Sequence, residues 1–291
     1  MFLRILSIVF PLFAVILAGW LYGRARAPDM RFANELNMDV FVPALVFATL
    51  AAKSVDAAGN GALAIGGALV VLGSGALAWP IARFAKVATR TLVPPMMFNN
   101  SGNMGLPLAV LAFGQDALAG AVVLFLVGNL LHFTLGIYLL DHHLRLSALW
   151  RMPVVAAAIA GLAVSLAHVA LWPPLLTAIR MLGEISIPLL LFALGVRLTE
   201  ASFHTWRIGA AGAVLRPLLG VLVAWPAADA LALEPRARAM LIVFGALPPA
   251  VINYVFAERY RQEPEKVASI VMIGNVASVV FVSLALAFVL Q

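Results

Sequence analysis

The residues with the most chemistry to offer lie in one run, Pro94-Pro95-Met96-Met97-Phe98-Asn99-Asn100-Ser101-Gly102-Asn103-Met104-Gly105-Leu106-Pro107. Three asparagines, two glycines and a proline fall within the nine residues 99–107. That is poor material for a continuous helix, because proline has no amide hydrogen and asparagine competes for backbone bonds. A second run, Leu247-Pro248-Pro249-Ala250-Val251-Ile252-Asn253-Tyr254, repeats the theme more thinly. A helix that restarts after a break exposes unpaired amides at the positive end of its dipole, a setting that suits a carboxylate. Asn100, Asn103 and Asn253 would add directional donors, with Asn99, Ser101, Gly102, Gly105, Pro107, Pro248, Pro249 and Tyr254 around them. The chemistry on offer is non-covalent recognition of a small anion; the competing account is a pair of merely kinked helices.

Further polar residues stand inside apolar stretches. Arg216, beside Pro217, is a candidate to supply net charge to that anion, or else to pair with a carboxylate of the protein or to snorkel. A central arginine costs at least ~2.5–3.5 kcal/mol on insertion scales, so it should face a cavity or a partner. Asp39 and Glu184 are candidates for a coupling proton or for pairing with Arg216, against the plainer account of wetted carboxylates near span ends. Asn129 and Asn275 could support broken helices by bonding their freed carbonyls, could ligate a cation, or could simply bond between helices. His132, one turn after Asn129, could titrate near neutrality or be a satisfied structural group. His142, His143, His168 and His204 fall near span ends and carry no role.

Chemistry of other kinds is missing. There is no HExxH, GxGD or GxSG pattern, and none of the three lysines (Lys53, Lys86, Lys266) follows a glycine, which excludes a P-loop pump. Without cysteine there is no disulfide or thiolate metal site. No enzyme, cofactor or metal is expected.

The elements that must position these residues are membrane helices. Of 291 residues 64% are hydrophobic and 11% charged, with a mean hydropathy of +1.03; soluble domains carry roughly 25% charge. The apolar windows fall at 3–22, 36–52, 62–82, 91–113, 117–140, 152–171, 176–196, 207–228, 238–256 and 267–290. Each is long enough to span hydrocarbon, and none alternates as a barrel strand would. The first is taken as a retained helix, since Arg24, Arg26 and Arg31 follow it and only Arg4 precedes it. Tryptophans 20, 79, 150, 172, 206 and 225 sit at window ends, as an interfacial belt does.

Basic residues sort by side. Arg24, Arg26, Arg31, Arg83, Lys86, Arg90, Arg145, Arg151, Arg197, Arg207, Arg259, Arg261 and Lys266 make 13 on one face, against Arg4, Lys53, Arg180, Arg236 and Arg238, which make 5 on the other. The positive-inside rule then puts both termini on the non-cytoplasmic side, and the net charge of +6 reflects topology and not nucleic-acid binding.

The halves also repeat. Residues 40–48 match 185–193 at an offset of 145, while Trp79-Pro80 recurs as Trp225-Pro226 and Gly128-Asn129 as Gly274-Asn275 at 146. Five windows per half is an odd number, so repeats 1–145 and 146–291 must be inverted, an organisation typical of secondary transporters.

The segment Asn99-Asn100-Ser101-Gly102-Asn103-Met104-Gly105-Leu106-Pro107, followed by Phe113-Gly114, resembles the signature of the auxin efflux carrier family. Asn37…Pro43 and Asn253-Tyr254-Val255-Phe256-Ala257-Glu258-Arg259-Tyr260 are similar too, so the resemblance runs over essentially the whole chain. It implies an all-α membrane protein of ten transmembrane helices in two inverted five-helix repeats, related to bile-acid sodium symporters. Helices 1, 2, 6 and 7 would form a scaffold and helices 3–5 and 8–10 a transport core, with broken helices 4 and 9 crossing at the substrate site. The segment Asp141–Arg151 is short where plant relatives carry a long cytoplasmic loop, which argues for a small carboxylate over auxin. The expected function is elevator-type secondary transport of a mono- or dicarboxylate, in the bacterial inner membrane. The alternatives are an anion channel or a sodium-coupled carrier of the bile-acid type. Expected partners are the substrate and membrane lipid, with a homodimer through the scaffold helices as the oligomer to test.

Overall fold

The computed structural model describes residues 2–51, 57–141, 152–200 and 205–290, and its regular elements are helices. His142, His143 and His204 lie outside the described residues. In chain order the helices are α1 (Phe2–Arg26), α2 (Arg31–Leu36), α3 (Val42–Ala51), α4 (Ala57–Phe84), α5 (Thr89–Met97), α6 (Leu106–Phe113) and α7 (Leu118–Leu131). They continue with α8 (Ile137–Asp141), α9 (Pro153–Leu166), α10 (Pro173–Arg197), α11 (Trp206–Ala230), α12 (Pro235–Ala246), α13 (Ile252–Arg259) and α14 (Pro264–Val289). Wider π turns join α2 to α3 at Asn37–Phe41, lead into α6 at Ser101–Gly105 and join α7 to α8 at His132–Gly136.

Six helical stretches are long and apolar enough to cross a membrane by themselves: Leu3–Arg26, Gly59–Phe84, Gln115–Asp141, Pro173–Arg197, Trp206–Ala230 and Pro264–Val289. Their outer faces are greasy. Leu3, Phe10, Leu17, Leu218, Leu222, Val276, Val280 and Leu284 are all more than half exposed. An apolar surface this continuous is stable against lipid and not against water. The windows 36–52, 91–113, 152–171 and 238–256 are met by shorter pieces. α9 stops at Leu166, short of the expected 171, where His168 takes a positive φ of 52° and Pro173 opens α10.

Two packed groups emerge. α1 lies along α10, and α3 lies between α9 and α10; α4, α5, α7, α11, α12 and α14 pack with one another. α1 and α10 run parallel, with Gly19 against Phe192 and Gly23 against Val196, whereas α4 and α11 run antiparallel, with Gly66 against Leu231 and Gly73 against Val223. The α1–α10 approach is backbone to backbone. A Cβ added at Gly195 would fall on the Ile16 carbonyl and the Trp20 amide, and one at Gly19 on the Phe192 carbonyl. Between lipid-immersed helices association comes from such close packing, since lipid removes most of the hydrophobic drive.

Gly195→Ala should therefore force these helices apart, costing roughly 1–3 kcal/mol as overpacking does. Gly61→Ala, where the added Cβ meets nothing within 4 Å, is the matched control. Thermal unfolding in detergent should show a lowered midpoint for the first and an unchanged one for the second.

Candidate functional site at a crossing of two broken helices

Both asparagine-bearing runs break, and the breaks meet. α5 ends at Met97, Phe98 is extended (φ −101°, ψ 112°), and helix resumes with the turn at Ser101. α12 ends at Ala246, Leu247 is extended (φ −61°, ψ 147°), and α13 begins at Ile252. Asn99 and Pro249 then pair as an isolated antiparallel bridge. The Asn100 amide donates to the Pro248 carbonyl at 2.8 Å, and the Ala250 amide donates to the Phe98 carbonyl at 2.9 Å. The break begins at Phe98, ahead of the glycines. Asn103, Gly105 and Pro107 are helical: the wider turn Ser101–Gly105 runs directly into α6, with Pro107 as the second residue of α6.

Side-chain amides complete the crossing. Asn99 Nδ2 donates to the Phe244 carbonyl at 2.6 Å, and Asn253 Nδ2 donates to the Phe98 carbonyl at 3.1 Å and the Ala250 carbonyl at 2.9 Å. Asn100 Nδ2 donates to Asn275 Oδ1 at 2.8 Å, while Asn275 Nδ2 donates to the carbonyls of Pro249 and Val271. Arg216, fully buried, donates from Nη1 to the Gly245 carbonyl at 3.0 Å. α11 and α12 come this close because Gly220 faces Gly245; a Cβ at Gly220 would strike both the Gly245 carbonyl and the guanidinium. The cation thus sits on the carbonyl end of α12, the negative end of its dipole. Among the described residues it has no carboxylate partner, and Glu184 is exposed on α10.

A cavity of about 480 Å3 opens beside the crossing, between the α3–α9–α10 group and the rest. Asn99, Asn100, Ser101, Gly102 and Asn103 form one wall. The main-chain amides of Ser101, Gly102 and Asn103 belong to the first turn of the helical stretch Ser101–Phe113, where no earlier carbonyl is in register to receive them. Apolar groups such as Met38, Phe125 and Leu194 face them. At one end stand Asn34, Asp39 and Arg197, so the cavity opens toward the face where α1 and α10 end in Arg26 and Arg197. His132 forms part of the wall, its ring stacked on Phe98 with centroids 4.0 Å apart. Its Nε2 and the Oδ1 of Asn253 make no hydrogen bond of normal geometry.

Of the candidate residues, Asn99, Asn100, Ser101, Gly102, Asn103, Asn129, His132 and Asp39 line this cavity. Asn253, Pro248, Pro249 and Asn275 build the crossing behind it, while Gly105, Pro107, Tyr254, Glu184 and Arg216 stand away from its wall. Arg216 is turned to Gly245 instead, and neither Asp39 nor Glu184 pairs with it. Among the described residues the cation that does reach the cavity is Arg197, counted in the sequence only as a loop charge.

Residues 142–286 match the family model described as membrane transport protein. No curated protein matches the chain.

The geometry separates two asparagines that look alike in sequence. Asn103→Ala should leave the melting temperature unchanged and weaken ligand binding, because its side chain lines the cavity and bonds nothing among the described residues. Asn253→Ala should remove the side-chain donor from the Phe98 and Ala250 carbonyls, which keep the main-chain amides of Ala250 and Asn253, and lower the melting temperature with or without ligand by the ~0.5–1.5 kcal/mol of a typical hydrogen bond. Equal thermal shifts in the two variants would contradict this division.

Proposed function

We propose, because the chain belongs to the membrane transport protein family through residues 142–286, that it is a secondary active carrier of a small organic anion, a mono- or dicarboxylate. The observation that carries this reading is the cavity wall of unpaired amides at 101–103, with Arg197 at the cavity mouth. A carboxylate there would accept from the main chain and from Asn103, and Arg197 would supply a second, charged contact. Asp39 shares the cavity, so anion preference rests on these directed donors and not on an excess of positive charge. The same carboxylate is the candidate for a coupling proton.

Ten membrane crossings in two inverted repeats account for the remaining windows, with α2–α3, α5–α6, α9 and α12–α13 as the other four. Reciprocity at the crossing supports the repeat. Phe98 and Phe244 are 146 positions apart, and each presents its carbonyl to an asparagine from the opposite break. Asn129 and Asn275, also 146 apart, each donate to the carbonyl four residues earlier. On this reading α1, α3, α9 and α10 are the scaffold, the other long helices are the core, and alternating access is relative movement of the two, elevator fashion. The basic face is cytoplasmic, the cavity faces inward, and both termini lie outside in a bacterial inner membrane. A pair of scaffolds is the expected dimer.

Proteoliposomes should show saturable uptake and counterflow of the carboxylate that stabilises the purified protein; non-saturating conductance would mark a channel instead. Arg197→Gln should weaken dicarboxylate binding roughly tenfold to hundredfold, the worth of a charged hydrogen bond of ~1.5–3 kcal/mol, and monocarboxylate binding less. Equal losses for both would remove Arg197 from the site. Cysteines added at either end of this cysteine-free chain should react with impermeant reagents from outside intact cells.

A further inference from the structure

Arg216 has no part in the cavity, yet it is a charge at the middle of a membrane span. Trp206 and Trp225, both exposed on α11, mark the two interfaces. At 1.5 Å per residue, Arg216 lies ~15 Å from one and ~14 Å from the other. Its side chain is fully buried and donates to the Gly245 carbonyl, while Nε and Nη2 have no partner among the described residues. The core windows 62–82, 91–113, 117–140, 207–228, 238–256 and 267–290 contain, of all Lys, Arg, Asp and Glu, only Arg207, Arg216 and Arg238. Arg207 and Arg238 open their windows, the first exposed and the second paired with Asp229. Arg216 alone is interior. The repeat supplies no counterpart, since the related Val70 is apolar.

We propose that Arg216 sets the electrical charge that the moving core carries through the membrane field. A guanidinium stays protonated in a protein, and α11 packs with α4, α5, α12 and α14, so the charge moves with the core. Empty, the core carries one positive charge through hydrocarbon. With a monocarboxylate bound it carries none, and with a dicarboxylate one negative charge. Asp39 and Arg197 lie on the scaffold side of the cavity and stay behind. The half-helices α5 and α12 end at the crossing from opposite faces in the inverted arrangement, so their dipoles oppose one another. The interior-negative potential of a cell then draws the empty core to the cytoplasmic face, and a bound monocarboxylate releases it from the field. Voltage therefore acts on the return of the empty carrier and leaves the monocarboxylate-loaded step alone.

This role rests on the carrier reading, since only a core that moves can carry its charge, but the test needs no substrate. Val255, on α13, lines the cavity, and Val255→Cys gives this cysteine-free chain one thiol that reports the position of the core. The protein is placed in liposomes at about pH 8, where His132, the histidine within these windows, is neutral. Impermeant thiosulfonate reagents added outside label molecules whose cavity face is outward. A potassium gradient of about a hundredfold, with valinomycin, sets the potential in either polarity. A lumen-negative potential pulls Arg216 and the core away from the reagent, so labelling should slow; a lumen-positive one should speed it. One charge crossing a quarter of the field shifts the equilibrium ~3-fold under such a gradient, and the two polarities should differ by at least that. Cationic and anionic reagents should give the same sign, which separates movement of the core from pull on the reagent. Arg216→Met, or Arg216→Gln where the first is not monodisperse, should abolish the dependence, and Arg216→Lys should retain it. Equal rates at both polarities in the Val255→Cys protein overturn the proposal, and a dependence that survives loss of the guanidinium overturns its assignment to Arg216. Counterflow of labelled propionate and succinate in the same vesicles reports on the carrier reading alone.

Discussion

The structure depends on one constraint: a helix cut inside hydrocarbon leaves peptide groups that water cannot reach. Each buried polar group left unmade costs on the order of 1–3 kcal/mol, so two isolated breaks would be expensive. Here each break is the partner of the other. Phe98 and Pro248 give their carbonyls to Ala250 and Asn100, and the amides of Asn99 and Asn253 reach carbonyls across the crossing. Neither run can unwind profitably without its mate, and the crossing is a single energetic unit built from both halves of the chain. What it leaves unsatisfied is as informative as what it pairs. Breaking α5 from the turn at Ser101 frees three successive amides, and these form the wall of the cavity.

Arg216 shows the same constraint acting on charge. A guanidinium without water must find carbonyls or a counter-ion, and the truncated end of α12 supplies one, the Gly245 carbonyl, at the negative end of its dipole. The approach is possible because Gly220 and Gly245 carry no side chains at the contact. The position related by the repeat is Val70, buried against apolar neighbours, so α5 ends without a cation. The two half-helices are therefore electrostatically unequal although their main-chain pairing is reciprocal. The charge of Arg216 belongs to the frame of the crossing, while the half-buried Arg197, at the end of α10, lines the cavity.

Much of this was legible in the sequence for physical reasons that single out particular residues. Proline and asparagine density marked both breaks, because these residue types weaken a helix wherever they occur. The first break lies toward the N-terminal side of the run that marked it: the chain opens at Phe98 to Asn100, while Ser101 to Pro107, glycines included, are helical. Asn103 and Asn253 look equivalent as letters. Only the register of each helix decides that one faces the cavity and the other turns back on its own break. Arg197 was invisible as a site residue, since a basic residue at a helix end is the ordinary signature of topology. Arg216 drew attention for its cost, and one backbone carbonyl offsets part of it, a partner no side-chain pattern records; its Nε and Nη2 make no hydrogen bond among the described residues.

Where the molecule can move follows from how its parts are joined. α1 and α10 touch backbone to backbone through Gly19, Gly23 and Gly195, a contact that cannot slide without collision. The core is tied across its own elements: Thr91 Oγ1 on α5 donates to Glu263 Oε2 at 2.5 Å, at the start of α14, and Asn275 of α14 holds the crossing. The deprotonated Glu263 is favoured there, its carboxyl held below the usual range by Lys266 and then Thr91. By contrast, the two groups meet more sparingly, where α1 passes α6 and α14 and α3 passes α7, and the 480 Å3 cavity occupies part of the seam between them. Motion within either group would break glycine contacts or buried amide bonds, whereas motion along the seam exchanges one apolar side-chain contact for another. Under the carrier reading the crossing then travels as a rigid body, its internal hydrogen bonds intact, and the substrate travels with it.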